Sequence, residues 1–415
     1  MLMLTRRAPA LALALALALA LALALAAPLR AEPTLGARLP IEGAEHLDRL
    51  FAALDARARG EGRVRVTHVG DSHVVADFWT GAMRERWQRT FGDGGRGFVL
   101  PGRAWQSFGQ RHVLQRSEGE WAVHTLKRDR RDGSFGPGGC VFESADPRDA
   151  LEVLTRPGAP ASAFDALTVL TLGGPLSGPF QLDVDDVPYG LISAERPRTE
   201  LVAHTFHLSD EPHAVRIRPG GRGAPLRVLG LSLERAAGGL IYDAVGLNGG
   251  QAKQLLKNGA RGLEESLAPL RPTAVVLSYG INELFASAWD DDAYRAELHE
   301  TLLALRAAAP DADCLLTGPF SALRRGAPHP GLDPLYAAQR AAAAAHRCAF
   351  WDARAAMGED LRPWQRAGLA QRDGVHLSRR GYERVAELFD ESVALSLARW
   401  RAARPAPPPA PPPPR

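Results

Sequence analysis

The arrangement of strand-like and helix-like segments changes twice along the chain, and this change constrains the fold more than any other feature. Between about residues 42 and 102 the pattern is helix, strand, helix and loop. From about 105 to 234, short runs rich in Val, Leu and Thr alternate with Gly, Pro and Asp turns, which is typical of an antiparallel β-sandwich. After residue 241 strands again alternate with helices, which indicates a parallel, doubly wound α/β sheet. We therefore expect one α/β domain interrupted by one inserted β module.

The two ends of the chain differ in composition from this core. Arg6 and Arg7 precede an unbroken Leu-Ala repeat at 10–27, typical of a secretory signal that ends near Ala31. The repeat approaches the length of a membrane span, so an uncleaved anchor that tethers the protein is the alternative. In either case we expect the protein to work in the periplasm or cell envelope. The predicted boundaries are 1–31 for the signal, 32–104 and 238–400 for the two parts of the α/β domain, 105–237 for the β insertion and 401–415 for a proline-rich, disordered tail.

The composition argues against several classes of partner. The formal net charge is only +3, and the charges are well mixed, which argues against nucleic acid as the main partner. The chain has only 3 cysteines and no Cys-x-x-Cys or Cys/His ligand spacing, so neither a disulfide scaffold nor a metal site is predicted. Cys314 and Cys348 each fall in a predicted strand, where one disulfide or two buried thiols are the alternatives.

A serine lies at the first predicted turn from strand to helix. Residues 64–69 alternate as a strand does, residues 70–73 read Gly-Asp-Ser-His, and the next stretch has one apolar side, as an amphipathic helix does. Such a turn projects a serine hydroxyl from the carboxyl edge of a sheet, beside the free N–H groups that open the helix. Ser72 is therefore a candidate nucleophile. The alternative is that Gly-Asp-Ser serves only as turn and N-cap chemistry.

Three further segments follow predicted strands or precede the last predicted helix, where open α/β sheets place their sites. His376 could act as the general base for a serine, and Asp373 could orient the His376 ring. Backbone N–H groups of Ser72 and of the turn at 249–250, together with the Asn282 amide, could hold an oxyanion. Each segment taken alone is also compatible with ordinary turn or capping chemistry.

Four other polar residues near these segments have less direct interpretations. Asp71 is expected to hold the nucleophile loop rather than to take part in chemistry. Glu283 is expected to be solvated or structural rather than a general acid. Ser278 ends a buried strand and is a poor rival nucleophile. Arg96 could contact substrate, but an arginine in a glycine-rich loop more often braces that loop.

These motifs together resemble the four conserved blocks of the SGNH (GDSL-type) hydrolases. Residues 70–72 resemble the first block, Gly249 the second-block glycine, residues 280–282 the third block and residues 373–376 the fourth. Glu283 replaces the aspartate that usually ends the third block, and Gly250 could take the place of Gly249 with a one-residue shift.

The resemblance implies both a fold and a site. The implied fold is a flavodoxin-like, three-layer α/β/α parallel sheet that carries the inserted antiparallel β-sandwich. The implied site is a triad of Ser72, His376 and Asp373 with an oxyanion hole from Ser72, Gly249 and Asn282. No metal or organic cofactor is implied.

A narrower resemblance is to the bacterial peptidoglycan O-acetylesterase branch of that family. It rests on His73, on the loop at 91–98, on residues 278–283 and on the position of the β insertion, which resembles a carbohydrate-binding module. This resemblance implies a secreted serine esterase that removes O-acetyl groups from a cell-envelope glycan such as peptidoglycan. The alternatives are an O-acyltransferase, an esterase acting on another polysaccharide, a lipid or a small ester, and a non-catalytic glycan-binding envelope protein.

Overall fold

The computed structural model describes residues 35–106, 108–129, 134–286 and 289–404. The predicted signal at 1–31 and most of the predicted tail lie outside these residues, although the last helix, Arg379–Ala402, extends into the start of the predicted tail. Within the part of the chain that is described, no helix is long and apolar enough to cross a membrane.

Five parallel strands form the sheet of the α/β domain, as predicted. Numbered along the chain, their spatial order is second, first, third, fourth, fifth, which is the flavodoxin-like order. The order reverses at the first strand, so the carboxyl ends of the first and third strands border the crevice where such sheets place their sites. In spatial order the strands are Gly239–Gly246, Arg63–Gly70, Ala274–Ser278, Asp313–Thr317 and Ala349–Trp351.

Helices cover this sheet, whose strands are buried almost throughout and therefore need cover on both faces. The helices Trp79–Phe91 and Arg379–Ala402 pack together, and Asp291–Ala308 packs between Gly259–Leu267 and Leu332–Ala345. Leu298, Leu302 and Leu305 lie on the buried side of their helix, in the register that their spacing predicts. The other helical segments are Ala44–Leu47, Asp48–Ala58, Ser72–Val75, Ala252–Asn258, Ile281–Leu284, Ala353–Met357 and Arg362–Arg366.

The insertion consists of two antiparallel sheets, which confirms the predicted β-sandwich. Apolar side chains from both sheets, such as Phe142, Phe164 and Ile217, are fully buried and belong to one core. The first sheet orders its strands as Glu200–Glu211, Phe164–Gly173, Leu226–Glu234, Cys140–Ser144 and Ala122–Thr125. The second orders them as Val113–Glu118, Ala150–Thr155, Ala214–Pro219, Phe180–Val184 and Val187–Ile192.

One short strand connects the sandwich to the chain that precedes residue 105. Gly97–Val99 pairs with Leu226–Glu234, so the first sheet takes a strand from outside the predicted insertion. The Phe98 N–H also donates to the Asp243 carboxylate on the edge strand of the parallel sheet, at 2.7 Å. The sandwich and the α/β domain are thus joined by strand pairing and by a buried hydrogen bond.

A buried carboxylate, Asp77, fixes the chain that follows the serine turn. It accepts hydrogen bonds from the guanidinium groups of Arg84 and Arg96 and from the Arg111 N–H, each at 2.7 Å. Burial alone would raise the pKa of Asp77, but the two arginines outweigh it and lower that pKa to about 2. Arg96 is only 1% exposed, so it braces the glycine-rich loop and is not a substrate contact. Arg84 is also buried, because it donates to the same carboxylate.

The two late cysteines form a disulfide. Cys314, at the start of the fourth parallel strand, is bonded to Cys348, which directly precedes the fifth. Of the two alternatives left open by the sequence, the structure therefore shows the bonded one. Cys140 is a free thiol buried in the sandwich, and its burial raises its pKa to about 12.

Replacing the buried carboxylate should destabilise the protein strongly. Asp77→Asn leaves two buried guanidinium groups without a counter-charge, so we expect the free energy of unfolding to fall by about 3–5 kcal/mol. Asparagine tolerates the positive φ of 54° at this position, so backbone strain is not the cause. Urea unfolding followed by tryptophan fluorescence measures the change. Glu387→Gln, which breaks only partly exposed pairs with Arg86 and Arg384, is the matched control and should cost less than about 1 kcal/mol. An equal effect of the two substitutions would contradict the role of Asp77.

Candidate active site

The serine lies just beyond the carboxyl end of the first strand, Arg63–Gly70. Ser72 begins the short helix Ser72–Val75, and Asp71 caps it by accepting the His73 N–H at 3.0 Å. Gly70 makes the tight turn possible, because a Cβ there would lie 2.6 Å from the Ser278 carbonyl oxygen. The strand end and the cap together direct the serine out of the sheet edge, as the motif predicts.

The structure brings together the three residues predicted as a triad. The Ser72 hydroxyl lies 3.0 Å from Nε2 of His376, and Nδ1 of His376 lies 2.7 Å from Oδ2 of Asp373. With Nδ1 protonated and donating to the carboxylate, Nε2 is the basic nitrogen and faces the serine hydroxyl. This arrangement can move a proton from the hydroxyl to the imidazole.

The orienting carboxylate is held in its ionised form. Partial burial would raise the pKa of Asp373, but hydrogen bonds from the Val375 N–H and from the His376 ring and N–H outweigh it, so the pKa lies below its usual value. Oδ1 of Asp373 accepts both backbone N–H groups, at 2.9 and 3.0 Å. The turn opened by Gly374 thus fixes the carboxylate before it contacts the imidazole.

Two backbone donors near the serine are available to a substrate. The N–H groups of Ser72 and Gly249 donate to no other group among the described residues. The Gly250 N–H, by contrast, donates to the Leu247 carbonyl oxygen at 2.9 Å. Of the two glycines that the sequence left as alternatives, Gly249 is therefore the one with a free N–H.

The Asn282 amide is already engaged. Its Nδ2 donates to Oδ2 of Asp71 at 3.0 Å and to the Gly250 carbonyl oxygen at 2.9 Å. These two contacts use both amide hydrogens, so a substrate oxygen would have to share or displace one of them. The sequence places Asn282 beside the serine but carries no signal for the contact with Asp71.

Two buried carboxyl groups lie beneath the serine turn. Burial raises the pKa of Asp71 to about 7, and the neighbouring Glu283 adds to that effect. Burial likewise raises the pKa of Glu283 to about 7. Glu283 accepts the N–H groups of Gly280 and Ala252 at 3.0 and 2.8 Å, so its role is structural, one of the two expected from the sequence.

His73, which the sequence singled out without a role, supports the imidazole of the triad. Its ring stacks on the His376 ring with centroids 5.1 Å apart, and its Nδ1 is hydrogen-bonded to the Tyr382 hydroxyl at 2.8 Å. Burial, and then the nearby His376, lower the pKa of His73 to about 3. The ring is therefore neutral and adds no charge beside His376.

A second Ser–His pair lies inside the sheet. Ser278 is 2.6 Å from Nε2 of His68, whose Nδ1 is hydrogen-bonded to the Tyr242 hydroxyl rather than to a carboxylate. Both residues are buried. Ser278 is thus a structural residue and not a rival nucleophile, in agreement with the expectation from the sequence.

Comparisons with known proteins point to the same chemistry. The model of the GDSL-like lipase/acylhydrolase family matches residues 218–384, a stretch that contains Asn282, Asp373 and His376. No curated protein sequence matches the chain. The solved structure titled "Peptidoglycan O-acetylesterase in action, 5 min" is 26% identical, covers 85% of this chain and 96% of its own, and has a TM-score of 0.72.

Other solved structures match less of the fold. The acetylxylan esterase Axe2 of Geobacillus stearothermophilus is 23% identical over 37% of this chain and 73% of its own, with a TM-score of 0.31. A family two carbohydrate esterase from Cellvibrio japonicus is 9% identical over 69% of this chain and 99% of its own, with a TM-score of 0.30. The family match over residues 218–384 and the extended match to the first structure show that the chain is a carboxylic ester hydrolase that resembles the GDSL-type (SGNH) hydrolases and, over most of its length, a peptidoglycan O-acetylesterase.

Proposed function

We propose that the protein is a secreted serine esterase that removes O-acetyl groups from a cell-envelope glycan, most specifically peptidoglycan. The observation that carries the proposal is the hydrogen-bonded series from Ser72 through His376 to Asp373. The choice of substrate is supported by the 26% identical structure, whose title names a peptidoglycan O-acetylesterase.

The proposed reaction proceeds through an acetyl-enzyme. Ser72 attacks the acetyl carbonyl while Nε2 of His376 takes the hydroxyl proton, and Asp373 stabilises the imidazolium. The N–H groups of Ser72 and Gly249 bind the oxyanion of the tetrahedral intermediate. When this intermediate collapses, the C–O bond to the sugar breaks and His376 returns the proton to the sugar oxygen. His376 then activates a water that releases acetate and restores Ser72.

Asn282 supplies the third oxyanion donor in this proposal. Because its amide hydrogens point at Asp71 and Gly250 in the resting enzyme, the developing oxyanion must compete for the hydrogen held by Asp71. A protonated Asp71 would hold that hydrogen less tightly than a carboxylate would. Asp71 thus controls the donor without touching the substrate.

Two further features suit an exported enzyme that acts on a polymer. The side chains of His376 and Asp373 are 38% and 44% exposed, so the triad lies at an open edge that a glycan strand can reach. The disulfide between Cys314 and Cys348 suits an oxidising compartment outside the cytoplasm, in agreement with the predicted signal.

Removing the nucleophile should abolish acetate release. We expect Ser72→Ala to lower kcat by at least about 10⁴-fold on O-acetylated peptidoglycan and on nitrophenyl acetate, because no acetyl-enzyme can form. Released acetate is measured for both substrates, and Asn282→Ala should lower kcat by about 10²–10³-fold. Ser193→Ala, at an exposed loop serine, is the matched control.

The outcomes separate the alternatives. Equal acetate release by the parent and Ser72→Ala would contradict the proposed mechanism. Hydrolysis of nitrophenyl acetate without release of acetate from peptidoglycan would contradict peptidoglycan as the substrate. Transfer of acetyl to an added sugar in excess of hydrolysis would show an acyltransferase instead. Binding of peptidoglycan with no turnover of either substrate would show a glycan-binding protein.

The raised pKa of Asp71 predicts a pH-dependent stability. The pKa is about 7 in the fold but about 3.9 in an unfolded chain, so the folded state binds the proton more tightly. The stabilising contribution of Asp71 is therefore complete below about pH 4 and is lost as the pH rises through 7. Asp71→Asn does not titrate and therefore does not lose stability in this way. The Tm of Asp71→Asn minus the Tm of the parent should therefore increase between pH 4 and 7.

Differential scanning calorimetry across this pH range measures the Tm difference. The second amide placed beside Asn282 lowers the Tm of Asp71→Asn by the same amount at every pH. It does not change how the Tm difference varies with pH. Asp186→Asn, at an exposed turn, is the matched control and should give a flat difference. A flat difference for Asp71→Asn as well would contradict the raised pKa.

A further inference from the structure

A groove of about 640 Å³ lies between the α/β domain and the β insertion. One wall comes from residues just after the serine helix, including Phe78, and from Arg379 at the start of the last helix. The other wall comes from the chain at 109–114 and from the end of the strand Ala150–Thr155. The groove is therefore built only when the insertion is docked on the hydrolase domain.

The groove adjoins the triad. Ala76, in its wall, donates its N–H to the Ser72 carbonyl oxygen at 3.3 Å, and Arg379 follows His376 by three residues. Phe78 is 38% exposed in the same wall, and its ring stacks on Tyr382, whose hydroxyl is hydrogen-bonded to His73. A glycan whose acetyl group reaches Ser72 can thus extend directly into the groove.

The titratable side chains that line the groove are all basic. Arg111, His112, Arg156 and Arg379 line it, and no Asp or Glu is among its described lining residues. Glu85 pairs with Arg111 and His112 from outside the lining, and Glu383 pairs with Arg379. Arg156 is exposed, and its guanidinium pairs with no carboxylate in the described part of the chain.

The groove also contains an unpartnered hydroxyl. Thr155 is only 5% exposed, and its Oγ1 has no hydrogen-bond partner in the described structure. A buried hydroxyl without a partner is costly unless a ligand or water satisfies it. Leu114, 42% exposed in the same wall, adds apolar surface of the kind that packs on a sugar or peptide chain.

We propose that this groove binds the carboxylate-bearing part of the substrate next to the acetylated sugar, with Arg156 as the main anion contact and Arg379 as the second. The inference rests on the proposed function and narrows its substrate class to acidic acetylated glycans. Guanidinium groups bind carboxylates through paired, charge-assisted hydrogen bonds, and Phe78 offers a ring face to the sugar. In peptidoglycan the carboxylate can come from a lactyl group that carries no peptide or from the peptide attached to another.

Sedimentation of the protein with peptidoglycan sacculi tests the groove without requiring turnover. In a Ser72→Ala background, Arg156→Gln should raise the Kd for sacculi about tenfold, the effect of one lost charged hydrogen bond. Arg222→Gln, at an exposed turn of the insertion outside the groove, is the matched control. Sacculi whose peptides have been removed by an amidase, which frees the lactyl carboxylates, identify the source: a retained or larger difference assigns the lactyl carboxylate, and its loss assigns the peptide.

Kinetics with Ser72 intact give the second readout. Arg156→Gln should lower kcat/KM for acetylated sacculi about tenfold relative to kcat/KM for nitrophenyl acetate. It should not lower kcat/KM for neutral acetylated xylan relative to kcat/KM for nitrophenyl acetate. If the parent released no acetate from sacculi, the proposed function would fail while the sedimentation result still decided the groove. Equal Kd values for Arg156→Gln and its background, or an equal loss in Arg222→Gln, would overturn the proposal.

Discussion

The contacts of Asp77 are the constraint on which the rest of the structure depends. This carboxylate lies five residues after the candidate nucleophile and gathers two buried arginines and the Arg111 N–H. Arg84 belongs to the helix after the serine turn, Arg96 to the loop that leads into the sandwich, and Arg111 to the wall of the groove. Without the negative charge, burial of both guanidinium groups would be prohibitive. Asp77 therefore acts together with the pairing of Gly97–Val99 and the Phe98–Asp243 hydrogen bond to hold the hydrolase site beside the insertion.

This constraint explains how a common hydrolase fold acquires a selective surface. The α/β domain alone positions the triad, because the first strand ends at Gly70, two residues before Ser72, and the last helix begins just after His376. The insertion adds the second wall of the groove and most of its positive charge. In the proposed function the α/β domain thus carries the chemistry, and we infer that the choice of glycan depends on how the two parts meet.

Much of the fold and of the site was predictable from the sequence, because strand–helix alternation and the spacing of Leu298, Leu302 and Leu305 are local patterns. The proximity of Ser72, Asp373 and His376 followed from their places at strand and helix ends. The rest depends on contacts distant in sequence. The sequence indicates that Arg96 braces its loop, but nothing local to Arg84 or Arg96 indicates that both pair with Asp77. The strand Gly97–Val99 is too short to be recognised, and nothing local indicates that Asp71 holds the Asn282 amide.

The proposed mechanism requires a covalent acetyl-enzyme at Ser72. The most direct measurement is mass spectrometry of the protein quenched in acid during turnover of an acetyl ester, followed by peptide mapping. We predict one acetyl group on the peptide that contains Ser72 and no acetyl group in Ser72→Ala. In Asn282→Ala the amount of acetyl-enzyme should increase only if the substitution slows deacylation more than acylation. Steady release of acetate with no acetyl group at Ser72, or with the acetyl group on another residue, would contradict the account.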